Sequence, residues 1–438
     1  MVRARAAPWS RSFLTTTPRS LAVLLALVVA ACTGPAVPTT SVPPGATSTP
    51  GGQPTGTPTL GPTDTPTPSQ TQPSTPPTVT PSPVPTGSSG TLADRLAGPL
   101  AQMLEQRRTS LGIPGMSATI IFPDDSMWSS ASGMADVDLG EVATADTPFV
   151  VGSITKTFVS AAIMQLVDEG KLSLDDPLAN WLPDYPKAAQ ITLRMLLSHT
   201  SGIFNLYESP DYSRVLTNPH KTWTPQDVLD KLAGPPYCDP GECYHYSNTG
   251  FILLGLVIEA QTGNSFGQVI RQRFLTPLGL DATYFQGDGP PPANTARGYR
   301  ESQGSTVAID DGSGYRPTQS EGTVIWAAGG IVASAPDIAH WGRALYGGSV
   351  VSADALAQMT DFVFEPGNEG GYYGLGTRMR KFDGISMEGH TGTLRAFNAA
   401  MWYLPSLDLT VVVMTNHTAI DANAITDAFL SVAVPAIP

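Results

Sequence analysis

Apolar positions recur at helical spacing from Leu92 to Arg108, with Leu92, Leu96, Leu100, Met103 and Leu104 on one face until Gly112 and Pro114 stop the pattern. The spacing predicts an N-terminal helix. MSATIIF (Met116–Phe122) and MWSSASGM (Met127–Met134), separated by the turn-forming PDDS, predict a hairpin. From about Ser153 to Leu280 helical patterns dominate: ITKTFVSAAIMQLVDEG, ITLRMLLSH, TPQDVLDKLA, YSNTGFILLGLVIEAQTG and SFGQVIRQRFL. Strand character then returns in GYYGLGTRM, SMEGHTG, FNAAMWYL and LTVVVMTN, and DANAITDAFLSVAV closes the chain as a helix. Strands at both ends of a helical insertion predict one α+β domain over residues 91–438. Its antiparallel β-sheet is flanked by N- and C-terminal helices, and a helical subdomain is inserted at about 153–280. No internal repeat is visible.

The first ninety residues follow neither period. Residues 1–20 carry Arg3, Arg5, Arg11 and Arg19 with no acid, and they lead into LAVLLALVVAA, an 11-residue apolar run ending at Cys32. That length suits an export leader and is too short to span a bilayer. The run VAAC resembles the lipobox of bacterial lipoproteins, which implies acylation of Cys32 and a lipid anchor in the membrane; an ordinary cleaved leader is the alternative. Across residues 33–90, Thr, Pro, Ser and Gly fill 47 of 58 positions and Asp64 is the only charge. Such a segment has almost nothing to bury and reads as a disordered spacer. The expected order is thus leader (1–32), tether (33–90) and folded domain, exported and held at the outer face of the cytoplasmic membrane, with secretion as the alternative.

Composition narrows the chemistry. The 24 Lys and Arg against 37 Asp and Glu leave a net charge of −13, which repels phosphate backbones and makes a nucleic-acid partner improbable. None of the six His falls in an H-E-x-x-H or similar cluster, so no metal and no cofactor are expected.

Three motifs remain. Ser153 and Lys156 stand one turn apart at a helix start, where an amine in a partly desolvated cleft can take the proton of a hydroxyl nucleophile. Of six Lys only Lys156 has Ser three residues before it. Tyr246-Ser247-Asn248 supplies a phenol able to relay protons and an amide able to orient Lys156; capping of the following helix explains the triplet equally well. His390-Thr391-Gly392-Thr393 precedes a strand, and its small residues would let substrate backbone lie against an edge strand. A second H-x-G, at His340, falls in a helical pattern with a glycine stop and is set aside.

With S-x-x-K, Y-x-N and H-T-G in that order, the chain resembles the penicillin-recognising serine hydrolases. The likeness is greatest to the serine β-lactamase and penicillin-binding protein group that joins class C β-lactamases, serine DD-carboxypeptidases and related esterases. It spans about residues 92–435 and takes in LLSHTSG and AAGGIVASAPDIA. The resemblance implies a β-lactamase/transpeptidase-like fold with Ser153 as the acylated nucleophile, Lys156 as proton acceptor and Tyr246 as acid/base. It further implies that Asn248 positions the acyl side chain, that His390, Thr391 and Gly392 line the strand edge, and that the N–H groups of Ser153 and Thr393 form the oxyanion hole. The expected substrate is a peptidoglycan stem peptide ending in D-alanyl-D-alanine. A β-lactam, an ester, or ligand binding without catalysis are the alternatives. The third motif of β-lactamases usually begins with Lys, and His390 in its place leans toward DD-peptidases and aminopeptidases of the group.

Some features compete with this reading or stand outside it. Gly263-x-Ser265-x-Gly267 matches the nucleophile elbow of another hydrolase fold, but a helical pattern precedes it and Ser265 reads as a helix cap. Cys238 and Cys243 flank DPGE and are expected to form a short disulfide, with a metal pair involving His245 as the alternative. His199 is expected to bond helix-end carbonyls and is not placed in the catalytic set. Phe204, Tyr207 and Tyr212 are candidates for the cleft wall, or for ordinary packing. The oligomeric state is not legible.

Overall fold

A computed structural model of the chain describes residues 90–366, 371–418 and 420–438. The leader, Cys32 and the spacer, Gly90 apart, lie outside them. The Leu92–Ser110 helix starts on a reciprocal cap, in which Thr91 accepts from the Asp94 N–H and the Asp94 carboxylate accepts from Thr91. Gly115–Ile121 and Met127–Asp136 form the expected hairpin. These strands join a nine-stranded antiparallel sheet in the order 141–142, 127–136, 115–121, 409–415, 397–404, 385–394, 378–382, 372–373 and 363–364.

The run FNAAMWYL is buried at every position because the sheet is covered on both faces. Ala400, Trp402, Leu404, Val411 and Val413 point to a core shared with the N- and C-terminal helices. Their neighbours Ala399, Met401, Tyr403, Val412 and Met414 point the other way. The two terminal helices therefore cover only one face. The opposite face packs on the Ala335–Tyr346 helix and on the helical half of the molecule, whose central helices are Thr155–Asp168 and Asn248–Thr262. Phe158 and Trp341 stack at 3.8 Å across this junction, giving the helix that follows Ser153 a rigid seat.

Two features differ from the sequence pattern. GYYGLGTRM is two strands, Tyr372–Tyr373 and Arg378–Phe382, separated by a turn in which Gly376 has φ +70°. Short strands Phe149–Val150, Thr283–Phe285 and Ile331–Ala333 also form a separate three-stranded sheet beside the helices; elements of two or three residues are too brief to show a period.

Candidate active site

The chain leaves the Phe149–Val150 strand, turns through Gly152 (φ +52°), makes a 3-10 turn over Gly152–Ile154 and enters the Thr155–Asp168 helix. Ser153 therefore stands at the opening of that helix and Lys156 in its first turn. Lys156 is fully buried. Its Nζ donates to Asn248 Oδ1 at 2.7 Å and to the Ala328 carbonyl at 2.8 Å, and lies 3.0 Å from Ser153 Oγ. Burial, and then the nearby Arg378 guanidinium, hold its ammonium well below the ordinary lysine range. A neutral amine has two N–H groups and one lone pair. Asn248 and Ala328 accept the two N–H bonds, so the lone pair is left facing the Ser153 hydroxyl.

The second motif behaves differently from a cap. Ser247 is the cap, its hydroxyl accepting from the Gly250 N–H, which frees the Asn248 side chain. Asn205 Oδ1 accepts from both Asn248 N and Asn248 Nδ2 at 3.2 Å. That pairing fixes the amide so that Oδ1 faces Lys156. The Tyr246 phenol hydrogen-bonds Ser153, and burial pushes it up to about 12. Its ring centroid is 5.0 Å from Lys156 Nζ.

The third motif lies on Ile385–Leu394, an interior strand and not the expected edge. Phe397–Leu404 pairs with it from Glu388 to Leu394, whereas pairing with Arg378–Phe382 ends at Gly389. Beyond Gly389 no strand among the described residues pairs with that side, so a local edge exists at the motif. Alternation divides the motif's four residues. Thr391 and Thr393 line a cavity of about 230 Å3 together with Ser153, Tyr246, Asn248 and Arg378, while His390 and Gly392 are buried. Gly392 packs on the turn that carries Ser153: a Cβ there would collide with the Val151 carbonyl and stand 2.9 Å from Ser153 N. A Cβ on Gly152 would reach Thr393 N at 2.7 Å. This close approach of two backbones brings the N–H groups of Ser153 and Thr393 to one end of the cavity.

His390 does not face the cavity. Its Nδ1 bonds the Thr391 carbonyl and its Nε2 lies 3.2 Å from the Tyr373 hydroxyl. Burial, then Arg378 and Lys156, keep it well below the ordinary histidine range, hence neutral. The permanent cation of the site is Arg378, which sequence spacing did not indicate. Arg378 Nη1 donates to Thr391 Oγ1 at 3.0 Å and Nη2 to Glu365 Oε1 at 2.6 Å, and its guanidinium lies 5.2 Å from the Tyr246 ring centroid. Asn205, Glu365 and Tyr373 were equally unmarked, since each acts through a partner remote in sequence.

His199 also departs from expectation. It is buried, its Nδ1 accepts from the Ser247 N–H at 3.1 Å and its ring lies 4.1 Å from that of Tyr246. It braces the Y-S-N turn and caps no helix end. Cys238 and Cys243 form a disulfide with a Cα–Cα distance of 6.2 Å, three residues before Tyr246. Tyr207 lines the cavity, and the Tyr212 ring lies tilted against it at 4.8 Å. Phe204 instead lines a larger cavity, about 650 Å3, that contains none of the motif side chains. Ser265 caps the Phe266–Ile270 helix and His340 lies inside a helix, as their contexts predict. Among the described residues no group of three or more His, Cys, Asp or Glu side chains is arranged to hold a metal ion.

A two-face-covered antiparallel sheet, a helical half and a cleft between them bearing these three motifs define the serine β-lactamase and penicillin-binding protein superfamily. The Beta-lactamase family model matches residues 100–433, and the chain belongs to that family. It is 34% identical over 183 residues to penicillin-binding protein 4 of Amycolatopsis lactamdurans, covering 40% of this chain and 45% of that one. The chain spans less than half the length of the curated relatives it matches. Among solved structures it is similar to the D-amino acid amidase of Ochrobactrum anthropi SV3, with TM-score 0.69, 27% identity and coverage of 78% of this chain and 99% of that one. It is also similar to a D-stereospecific amidohydrolase from Streptomyces sp., with TM-score 0.66, 29% identity and coverage of 76% and 97%.

Proposed function

We propose that the protein is an exported, lipid-anchored acyl-serine hydrolase acting on peptides that end in a D-residue with a free carboxylate, D-alanyl-D-alanine stem peptides foremost. The observation that carries the hydrolase reading is the fully buried Lys156 amine 3.0 Å from Ser153 Oγ with its other bonds already accepted. Lys156 accepts the Ser153 proton as Oγ attacks the scissile carbonyl. The N–H groups of Ser153 and Thr393 hold the oxyanion. When the C–N bond breaks, the Tyr246 phenol delivers a proton to the departing amine and is reprotonated from Lys156, leaving an ester on Ser153. Water then opens the ester with the same groups acting in reverse.

Arg378 and Thr391 support the choice of substrate. A guanidinium and a hydroxyl bordering the cavity suit a carboxylate next to the scissile bond, which a peptide terminus has and a simple amide or ester lacks. The D-specific names of the structural relatives support a D-configured acyl residue. The leader and spacer support a site of action outside the membrane, within reach of peptidoglycan.

Incubating the purified chain with a fluorescent penicillin and with N-acyl-D-alanyl-D-alanine tests this. A slowly hydrolysed adduct absent from Ser153→Ala, together with Ser153-dependent release of D-alanine, is the expected result. Rapid turnover of penicillin without D-alanine release would make the chain a β-lactamase, and cleavage of p-nitrophenyl esters alone an esterase. Silence on all three substrates would overturn catalysis.

A further inference from the structure

The cavity of about 650 Å3 that Phe204 borders shares no lining residue with the one at Ser153. It lies in the helical half of the molecule, among the 181–187 loop, the 201–204 segment and the Pro225–Lys231 helix. Its walls are largely apolar, with Ile191, Ile203 and Leu229 beside the rings of Trp181, Tyr185 and Phe204. Two of those rings are held in place. Trp181 Nε1 donates to Gln261 Oε1 at 2.9 Å. Gly234 lies so close to the Phe204 ring that a Cβ there would stand 2.8 Å from three ring carbons, and the Tyr237 ring stacks on Phe204 at 5.5 Å. The polar groups of the lining differ in depth. Ser201 is 3% exposed; its Oγ accepts from the Ile203 N–H at 3.4 Å, and its own proton has no acceptor among the described residues. Asp184 and Asp230 are exposed and form no ion pair with a basic residue among the described residues, whereas Lys187, the cation of the lining, is paired with Asp239.

We infer that this cavity is a second binding site, separate from the catalytic cleft, for a small amine carried on an aromatic ring that bears a hydrogen-bonding oxygen at its far end. The volume is that of an ordinary small-molecule site, and the largely apolar walls reward burial of a ring. The acids decide the sign of charge. An ammonium at the mouth meets the unmatched carboxylates of Asp184 and Asp230, which repel a carboxylate placed there. Ser201 decides the far end. A buried hydroxyl proton without an acceptor is costly, and a phenolic oxygen on the ligand accepts it, while a plain ring leaves it unsatisfied. Because the two cavities share no lining residue, occupation of this one needs no substrate at Ser153, and the inference stands apart from the reading given under Proposed function.

The test measures Kd by ligand-observed NMR for three probes with one ring in common: tyramine, phenethylamine, which lacks the far oxygen, and 3-(4-hydroxyphenyl)propionate, which carries the opposite charge. Expected is tyramine binding about fivefold tighter than phenethylamine and about tenfold tighter than the propionate. In Asp184→Asn/Asp230→Asn the gap between tyramine and the propionate should close, and in Ser201→Ala the gap between tyramine and phenethylamine. Ala233 lines the cavity and is exposed, so Ala233→Trp fills the cavity from its outer side and should abolish binding of all three, whereas Ala233→Ser should bind as the wild type does. Thermal unfolding of each variant separates a blocked site from a failed fold. No binding of tyramine to the wild type, equal affinity for amine and carboxylate, or tyramine binding untouched by Ala233→Trp overturns the site.

Discussion

The cleft has two walls of opposite electrostatic character. On the helical wall, Lys156, Tyr246 and His199 are buried among apolar and aromatic neighbours, and burial suppresses the charged form of all three. On the strand wall, Arg378 keeps its charge, bonded to the Glu365 carboxylate and to Thr391. A neutral amine beside a protonated phenol is suited to passing protons. A permanent guanidinium cannot pass a proton and is suited to orienting an anion. Chemistry and orientation are thus assigned to different walls, and each wall is open to separate attack.

The largest effect belongs to the helical wall. Lys156→Met keeps the volume and removes the base, and kcat for acylation of Ser153 should fall about 10,000-fold, read as the rate of penicillin adduct formation. In the wild type the acid limb of kcat/KM should follow the depressed Lys156 titration, with activity rising with pH as the amine loses its proton. No limb near 6.5 should come from His199 or His390, because both are held well below that value. A limb near 6.5 that vanishes in His390→Asn would move the base to the strand wall.

The seam between the walls comes next. Gly392→Ala drives a methyl group into the Val151 carbonyl and toward Ser153 N, so the two walls must separate and the oxyanion loses its paired donors. A loss of about 100- to 1,000-fold in kcat is expected, with thermal unfolding distinguishing a displaced strand from a failed fold. Gly392→Ala with wild-type kcat would show that Thr393 N holds no oxyanion.

A smaller effect, visible mainly in KM, belongs to the strand wall. Arg378→Gln should raise KM about 10- to 100-fold for peptides with a terminal carboxylate, and should leave the matching carboxamide almost unchanged. The double variant Arg378→Gln/Glu365→Gln also removes the carboxylate that bonds Arg378 in the wild type. If KM rises equally for carboxylate and carboxamide, Arg378 only braces Tyr246 and orients no anion.

The walls also differ in how far sequence revealed them. On the helical wall, catalytic geometry is local: Ser153 and Lys156 are one turn apart and Tyr246 and Asn248 share one turn, so short motifs carry it. On the strand wall, only Thr391 and Thr393 project into the cleft from the visible motif, and their cation comes from Arg378 on the adjacent strand. Pairing register between strands, here Arg378 opposite Gly389, has no counterpart in linear spacing. His199 and Asn205 were obscured for the same reason, since each acts on a residue more than forty positions away. Period-2 and period-3.6 patterns revealed the long strands and helices, while strands of two or three residues fell below the length at which a period exists.

The smallest expected effect concerns stability, and it tests the helical wall without any substrate. The unfolded chain keeps the Lys156 proton up to its ordinary value of 10.5, whereas burial makes the folded chain release it at lower pH. Between those two pKa values the unfolded state binds more protons, so stability rises with pH across the interval. Below the folded value both states are protonated, and the cost of burying an ammonium is present in full. Methionine carries no such proton. Lys156→Met should therefore melt above the wild type, with the largest difference in acid and a difference that shrinks as pH climbs toward 10.5. Thermal unfolding of both chains at about pH 5, 7 and 9 measures it. A difference that stays level from pH 5 to 9 would mean that the folded and unfolded chains hold the proton equally over that range, and Lys156 would then be a cation at neutral pH and no base for Ser153.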